Sequence, residues 1–253
     1  RDAPDRHRTI RAAIGWSYEP LQPREQQLFR TLSVFPGPFT LDSAVQIAED
    51  MGIPRLETIE GISTLVDQNL LARLNEPGSG RYVMLGSIRD FGQAHLLIEG
   101  EDAAVRSRFV DAVVARVSPP EHAPQDNVAW LGLIERSMDD VRVAFDWAIA
   151  NGQAVRALQL TIDLGGWWST RGSPREAHRL YAVALAKAPD ATDQQRFDAL
   201  RDYAWMLALT GELAQALAMR DEIVRLAERL DDPLSTIKSE QLLGALAFVE
   251  GNV

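Results

Sequence analysis

The chain has 253 residues, 46% hydrophobic and 25% charged, a globular balance that excludes a mini-protein or a disordered chain and suits about two domains. Its 26 basic against 36 acidic residues leave a net charge of −10, which argues against a protein whose main work is neutralising phosphates. With no cysteine, disulfide frameworks, zinc knuckles, iron–sulfur sites and thiol catalysis are excluded.

No apolar run approaches the roughly 18 residues of a bilayer span, and no signal segment opens the chain, so a cytoplasmic protein is expected. Arg1 in place of a start methionine, and a helical pattern running to Val253, predict an excised piece of a longer protein.

Apolar residues recur at three- and four-residue spacing almost throughout, which predicts an all-α fold. The first 98 residues read as three short helices and a β-hairpin, the order of a winged helix. Pro23 opens a helix over 25–34, Thr40 caps one over 43–49, and Pro54 precedes one over 56–69. In the third, Leu56, Ile59, Ile62, Leu65, Val66 and Leu70 form the expected buried stripe. The turn-rich segment Asn75–Gly80 between two short apolar runs predicts the hairpin, within Leu70–Leu85. Helices follow over 87–98 and 102–117, then Ser118–Pro124 breaks the pattern as a linker.

Beyond it the sequence repeats. Gly172, Gly211 and Gly251 lie 39 and 40 residues apart, each preceded by seven residues by a small residue, Gly165, Ala204 or Gly244. Small residues at fixed offsets let paired helices approach closely, so a right-handed α-solenoid of tetratricopeptide-like units is expected. Tyr181, Ala184 and Pro189 fit the first unit, whereas Arg220 and Ile223 depart from it in the second. The expected division is 1–98 winged helix, 99–136 helical linker and 137–253 helical repeats, truncated in the third unit.

Catalytic signatures are missing. There is no P-loop; Gly15–Glu19 lacks the second glycine of a nucleophile elbow; and His7, His95, His122 and His178 have no partner at metal-ligand spacing. No enzyme, cofactor or metal site is expected in the chain itself. The repeat register instead places Asp198, Arg201, Trp205, Lys238, Gln241 and Phe248 on the inner side of successive helices. An aromatic, both charge signs and an amide suit partner recognition on a concave face. Arg201→Ala or Trp205→Ala is expected to cost stability no more than about 1 kcal/mol, as surface changes do.

The third helix carries Glu57, Glu60 and Asp67 with no Lys or Arg over 56–69, and residues 1–98 hold 10 basic and 12 acidic residues. Carboxylates near phosphate repel, so direct DNA binding by this chain is not expected; a DNA-binding winged-helix transcription factor with a tetratricopeptide tail is the alternative.

Residues 6–21 (RHRTIRAAIGWSYEPL), 25–35 (EQQLFRTLSVF) and 39–44 (FTLDSA) resemble the winged-helix segment of bacterial STAND, NB-ARC-like signal-transduction ATPases and transcriptional regulators. Residues 65–71, 81–85, 88–91 and 141–148 continue the likeness. The resemblance implies a regulatory fragment. In it, a protein or small-molecule inducer bound on the repeats is relayed through the winged helix to a nucleotide-binding domain, absent here, that binds ATP or ADP. The family's nucleotide-sensing His-Asp position falls on Leu85 and Gly86, whose side chains cannot donate to a phosphate.

Overall fold

The computed structural model describes residues 3–74, 80–120 and 127–251, with side chains from residue 9 onward. The described residues are mostly helical and divide into two compact units, residues 1–113 with 142–144, and residues 114–141 with 145–253. The linker expected at Ser118–Pro124 is described only as far as Pro120.

The first unit contains α1 (Ala3–Tyr18), α2 (Pro23–Leu32), β1 (Phe39–Thr40), α3 (Leu41–Asp50) and α4 (Arg55–Asp67). These are followed by β2 (Ala72–Arg73), β3 (Arg81–Val83), α5 (Gly86–Ile98) and most of α6 (Asp102–Val117). The starts are as the sequence predicts: Pro23 sits in the first turn of α2, and the Thr40 hydroxyl accepts from the Ser43 amide at 3.2 Å to cap α3.

β2 and β3 pair antiparallel as the hairpin, with Ala72 opposite Val83, but its turn at residues 75–79 lies outside the described residues. The expectation of a hairpin alone is corrected by a third strand. β1 pairs antiparallel with β3, giving the order β1-β3-β2. Two residues of strand carry no alternation to read, and Phe39 joins through its ring, stacked on Phe35 at 4.4 Å.

The α4 stripe is also corrected. Its buried residues are Thr58, Gly61, Ile62 and Leu65, while Leu56 and Ile59 are 66% and 38% exposed. The helix is turned so that small residues meet α2: a Cβ at Gly61 would stand 2.6 Å from Leu28 Cδ2. Close approach there decides which face is buried, and the larger aliphatics at 56 and 59 are left outside.

α2 is the hub, packed on α3, α4 and α5. Its Arg30 is buried yet fully paired, giving Nε and Nη2 to the two Glu101 oxygens at 2.7 Å each and Nη1 to the Tyr18 hydroxyl at 2.8 Å. Those bonds, to Glu101 above all, hold the guanidinium proton more tightly than usual against the cost of burial. His95 stacks on Tyr18 and Phe91, with centroids 4.9 and 4.4 Å apart, and burial followed by Arg30 pushes its pKa down.

The second unit holds α7 (Val128–Ala150), apart from residues 142–144, then α8 (Ala154–Asp163), α9 (Gly165–Thr170) and α10 (Pro174–Lys187). It continues through α11 (Asp193–Leu209), α12 (Leu213–Ala218), α13 (Arg220–Leu230) and α14 (Pro233–Gly251). α8 packs on α10 and α11, and α11 in turn on α13 and α14. α8, α11 and α14, which start at residues 154, 193 and 233, thus pack in succession.

Tyr181, Ala177, Ala184, Ala204 and Ala216 are all fully buried, but Gly244 is exposed with open space where a Cβ would stand, so the close approach expected at the third small residue does not occur. Ile223 is buried as well, and Arg220 stands where the chain breaks into α12 and α13 around Met219. Trp130 and Trp168 are buried, and Trp147 is half-buried.

Candidate partner-binding site

α11 starts at a reciprocal cap, with the Thr192 hydroxyl accepting from the Gln195 amide at 3.2 Å and the Gln195 side chain accepting from the Thr192 amide at 3.1 Å. From that start Asp198, Arg201, Asp202 and Trp205 follow at i, i+3, i+4 and i+7, on one helix face. Arg201 donates Nη2 and Nε to Asp202 Oδ1 at 2.6 and 3.0 Å and lies 3.7 Å from Asp198 Oδ1. Lys238, from α14, stands 3.8 Å from the same Asp198 oxygen, while Gln194 donates to Asp198 Oδ2 at 2.7 Å.

Gly165 makes room for this network. A Cβ there would lie 2.4 Å from Asp202 Oδ2 and 3.6 Å from the Tyr181 hydroxyl. The absence of a side chain at Gly165 thus lets a carboxylate of α11 sit against the backbone of α9. Burial raises the Asp202 pKa, opposed by the charge and hydrogen bonds of Arg201. Burial also works against the Arg201 charge, but Asp202 outweighs it and the guanidinium is held more tightly than usual. Tyr181, donating to the Thr161 carbonyl at 2.9 Å, is pushed well up by its complete burial.

A second polar row lies one repeat earlier. Asp163 accepts from Ser118 and Gln159, each at 2.7 Å, and Gln195 donates to Gln159 at 3.0 Å. Burial raises the Asp163 pKa and the two donors restrain the rise.

The structure thus joins Asp198, Arg201 and Lys238 in one network, with Trp205 half-buried one turn beyond Arg201. Gln241 and Phe248 are exposed further along α14, Phe248 at 73%. The residue that sequence reasoning missed is Asp202, the strongest partner of Arg201. Its signal was in the repeat, since Asp163 precedes it by 39 residues. The network also corrects the expectation for Arg201: its side chain is 24% exposed and paired with Asp202, so its loss strands a mostly buried carboxylate.

In the first unit, Leu85 is the N-terminal cap residue of α5 and is exposed, with no side-chain cap bond at that end. Gly86 and Ser87 line a cavity of about 430 Å³ together with Ile10, Arg11, Asp90 and Phe91. Among the described residues no cluster of three His, Asp or Glu is arranged to hold a metal ion, and no helix is long and apolar enough to cross a membrane.

No protein-family model matches the chain, and no solved structure matches it. Curated relatives do. The "Putative HTH-type transcriptional regulator Rv0890c" of Mycobacterium tuberculosis (strain ATCC 25618 / H37Rv) is 27% identical over 94% of this chain and 28% of its own length. The relative of Mycobacterium bovis (strain ATCC BAA-935 / AF2122/97) named "Putative HTH-type transcriptional regulator Mb0914c" matches to the same extent. "Uncharacterized protein Rv0894" of M. tuberculosis is 32% identical over 40% of this chain and 26% of its own length. The chain thus spans under a third of the curated relatives it matches.

Proposed function

We propose that the chain is part of a cytosolic, DNA-directed transcriptional regulator. On this reading its first unit is of winged-helix type and its second is a tetratricopeptide-like, right-handed array that receives a partner. The alignment of 94% of the chain with relatives named as HTH-type transcriptional regulators carries the reading. The expectation against DNA binding, drawn from the acidic third helix, is withdrawn on the strength of those names.

The charge distribution directs the contact away from α4. It belongs on the hairpin, where Arg73 is exposed and Arg81 anchors β3 by donating to the Pro38 carbonyl at 2.9 Å. Such arginines neutralise phosphates without reading bases. The test is fluorescence anisotropy of the chain with duplex DNA at low salt. Retention is expected, with Arg73→Ala lowering the log–log salt slope by about 1. No binding at low salt sinks the reading.

A second reading is favoured by the cavity at Gly86. Uncapped first-turn amides of α5 beside Arg11 and Ser87 favour a phosphate, opposed by the Asp90 carboxylate that lines the same cavity. This supports relay to an ATP- or ADP-binding domain of a STAND-type protein, with catalysis in that domain and only binding and relay in this chain. ADP should then shift the Gly86 and Ser87 amide resonances in the wild type and not in Arg11→Ala.

In either case the inner face around Asp198, Arg201, Trp205, Lys238, Gln241 and Phe248 is the proposed seat of a protein or small-molecule inducer. The half-buried Trp205 gives a fluorescence readout for candidate inducers.

A further inference from the structure

Charge is unevenly spread. Between Leu41 and Asp67 stand Asp42, Glu49, Asp50, Glu57, Glu60 and Asp67 against Arg55 alone, six acidic and one basic residue, so 27 residues carry −5 of the chain's −10. These are α3, the turn after it and α4, two helices packed on each other, and all six carboxylates are exposed. The nearest cations are loosely held at the rim, Arg55 at 3.4 Å from Asp42 and Arg24 at 3.9 Å from Glu57.

Amid these carboxylates lie Leu56 and Ile59, 66% and 38% exposed and one turn apart on α4. They are outside because Gly61 and Thr58 take the buried face, so the patch follows from the way α4 is seated on α2.

We propose that the exposed face of α3 and α4 is a docking surface for a basic amphipathic helix of a partner protein. An apolar centre inside a predominantly acidic rim is the arrangement such interfaces use. The rim speeds encounter and rejects acidic partners, while the aliphatic pair supplies the desolvated contact. Nucleic acid is excluded from this face by phosphate against carboxylate, and a second copy by −5 against −5. The site uses neither of the hairpin arginines assigned to DNA, so it holds or fails independently of that reading.

The test uses the chain and a labelled synthetic peptide with leucines at helical spacing on one face and lysines on the other. Binding that weakens with salt is expected. Leu56→Ser with Ile59→Ser, and separately Glu57→Gln with Glu60→Gln, should each lower affinity about tenfold, equal to about 1.4 kcal/mol. The charge-matched control Glu228→Gln with Glu240→Gln, in the second unit, should stay within about twofold. Thermal melting confirms folding, and if the serine pair fails to fold the glutamine pair decides. Equal binding by the α4 variants and wild type overturns the proposal. So does an equal loss in the control.

Discussion

The two units handle charge in opposite ways. In the first, the buried Arg30 meets a half-buried Glu101, and the surface of α3 and α4 is left with unbalanced carboxylates. In the second, the charges expected to face a partner balance one another, with Asp198 and Asp202 set against Arg201 and Lys238 across neighbouring helix pairs. The contrast teaches that net charge marks where a surface attracts from a distance, whereas a neutralised network orders the helices that carry it. A docking face and a joint between repeats are built from the same residue types.

Removing one partner from each arrangement measures the difference. Glu101→Gln leaves the Arg30 guanidinium buried against Tyr18 and should cost about 3 kcal/mol in urea unfolding, within the range for broken buried pairs. If the loss is below about 1 kcal/mol, the pair is solvated and the contrast collapses.

Arg201→Ala acts on a network that is about one-fifth exposed and should cost less, about 2 kcal/mol. Adding Asp202→Asn should recover part of that loss, because the stranded carboxylate is removed. A purely additive double variant would mean that the two side chains do not depend on each other.

Tyr181→Phe removes a buried donor to the Thr161 carbonyl and should cost about 1 kcal/mol, read as a lower melting temperature without loss of helix.

The smallest effect is a pH slope in the first unit. The His95 pKa is lowered in the fold by burial and then by Arg30, so the unfolded chain binds the proton more readily. The resulting stability is present above the ordinary value of about 6.5 and is lost as pH falls from there toward the depressed folded value. His95→Gln should flatten the melting temperature across that window. An unchanged slope would assign the pH dependence elsewhere.

Much of the architecture was legible in the residues. The helical period, Pro23 and the Thr40 cap are local signals, and the helices stand where those signals place them. The candidate site was legible in part. The repeat register brought Asp198, Arg201 and Lys238 together, yet missed Asp202, because its importance lies in the space left by Gly165 on another helix. The stripe of α4 failed for a related reason. A hydrophobic pattern ranks residues by their cost in water, but a helix is seated by shape as well, and Gly61 against Leu28 outweighed two exposed aliphatics.

The sequence by itself determined the helical class, the helix starts and the absence of cysteine chemistry, since each depends on residues close in the chain or on composition. Tertiary structure alone decided that β1 joins the sheet, that Asp202 completes the ion network and that Leu56 and Ile59 face outward among carboxylates. Each of those outcomes turns on which distant backbone comes near enough to touch, and that distance is set by packing rather than by any local preference.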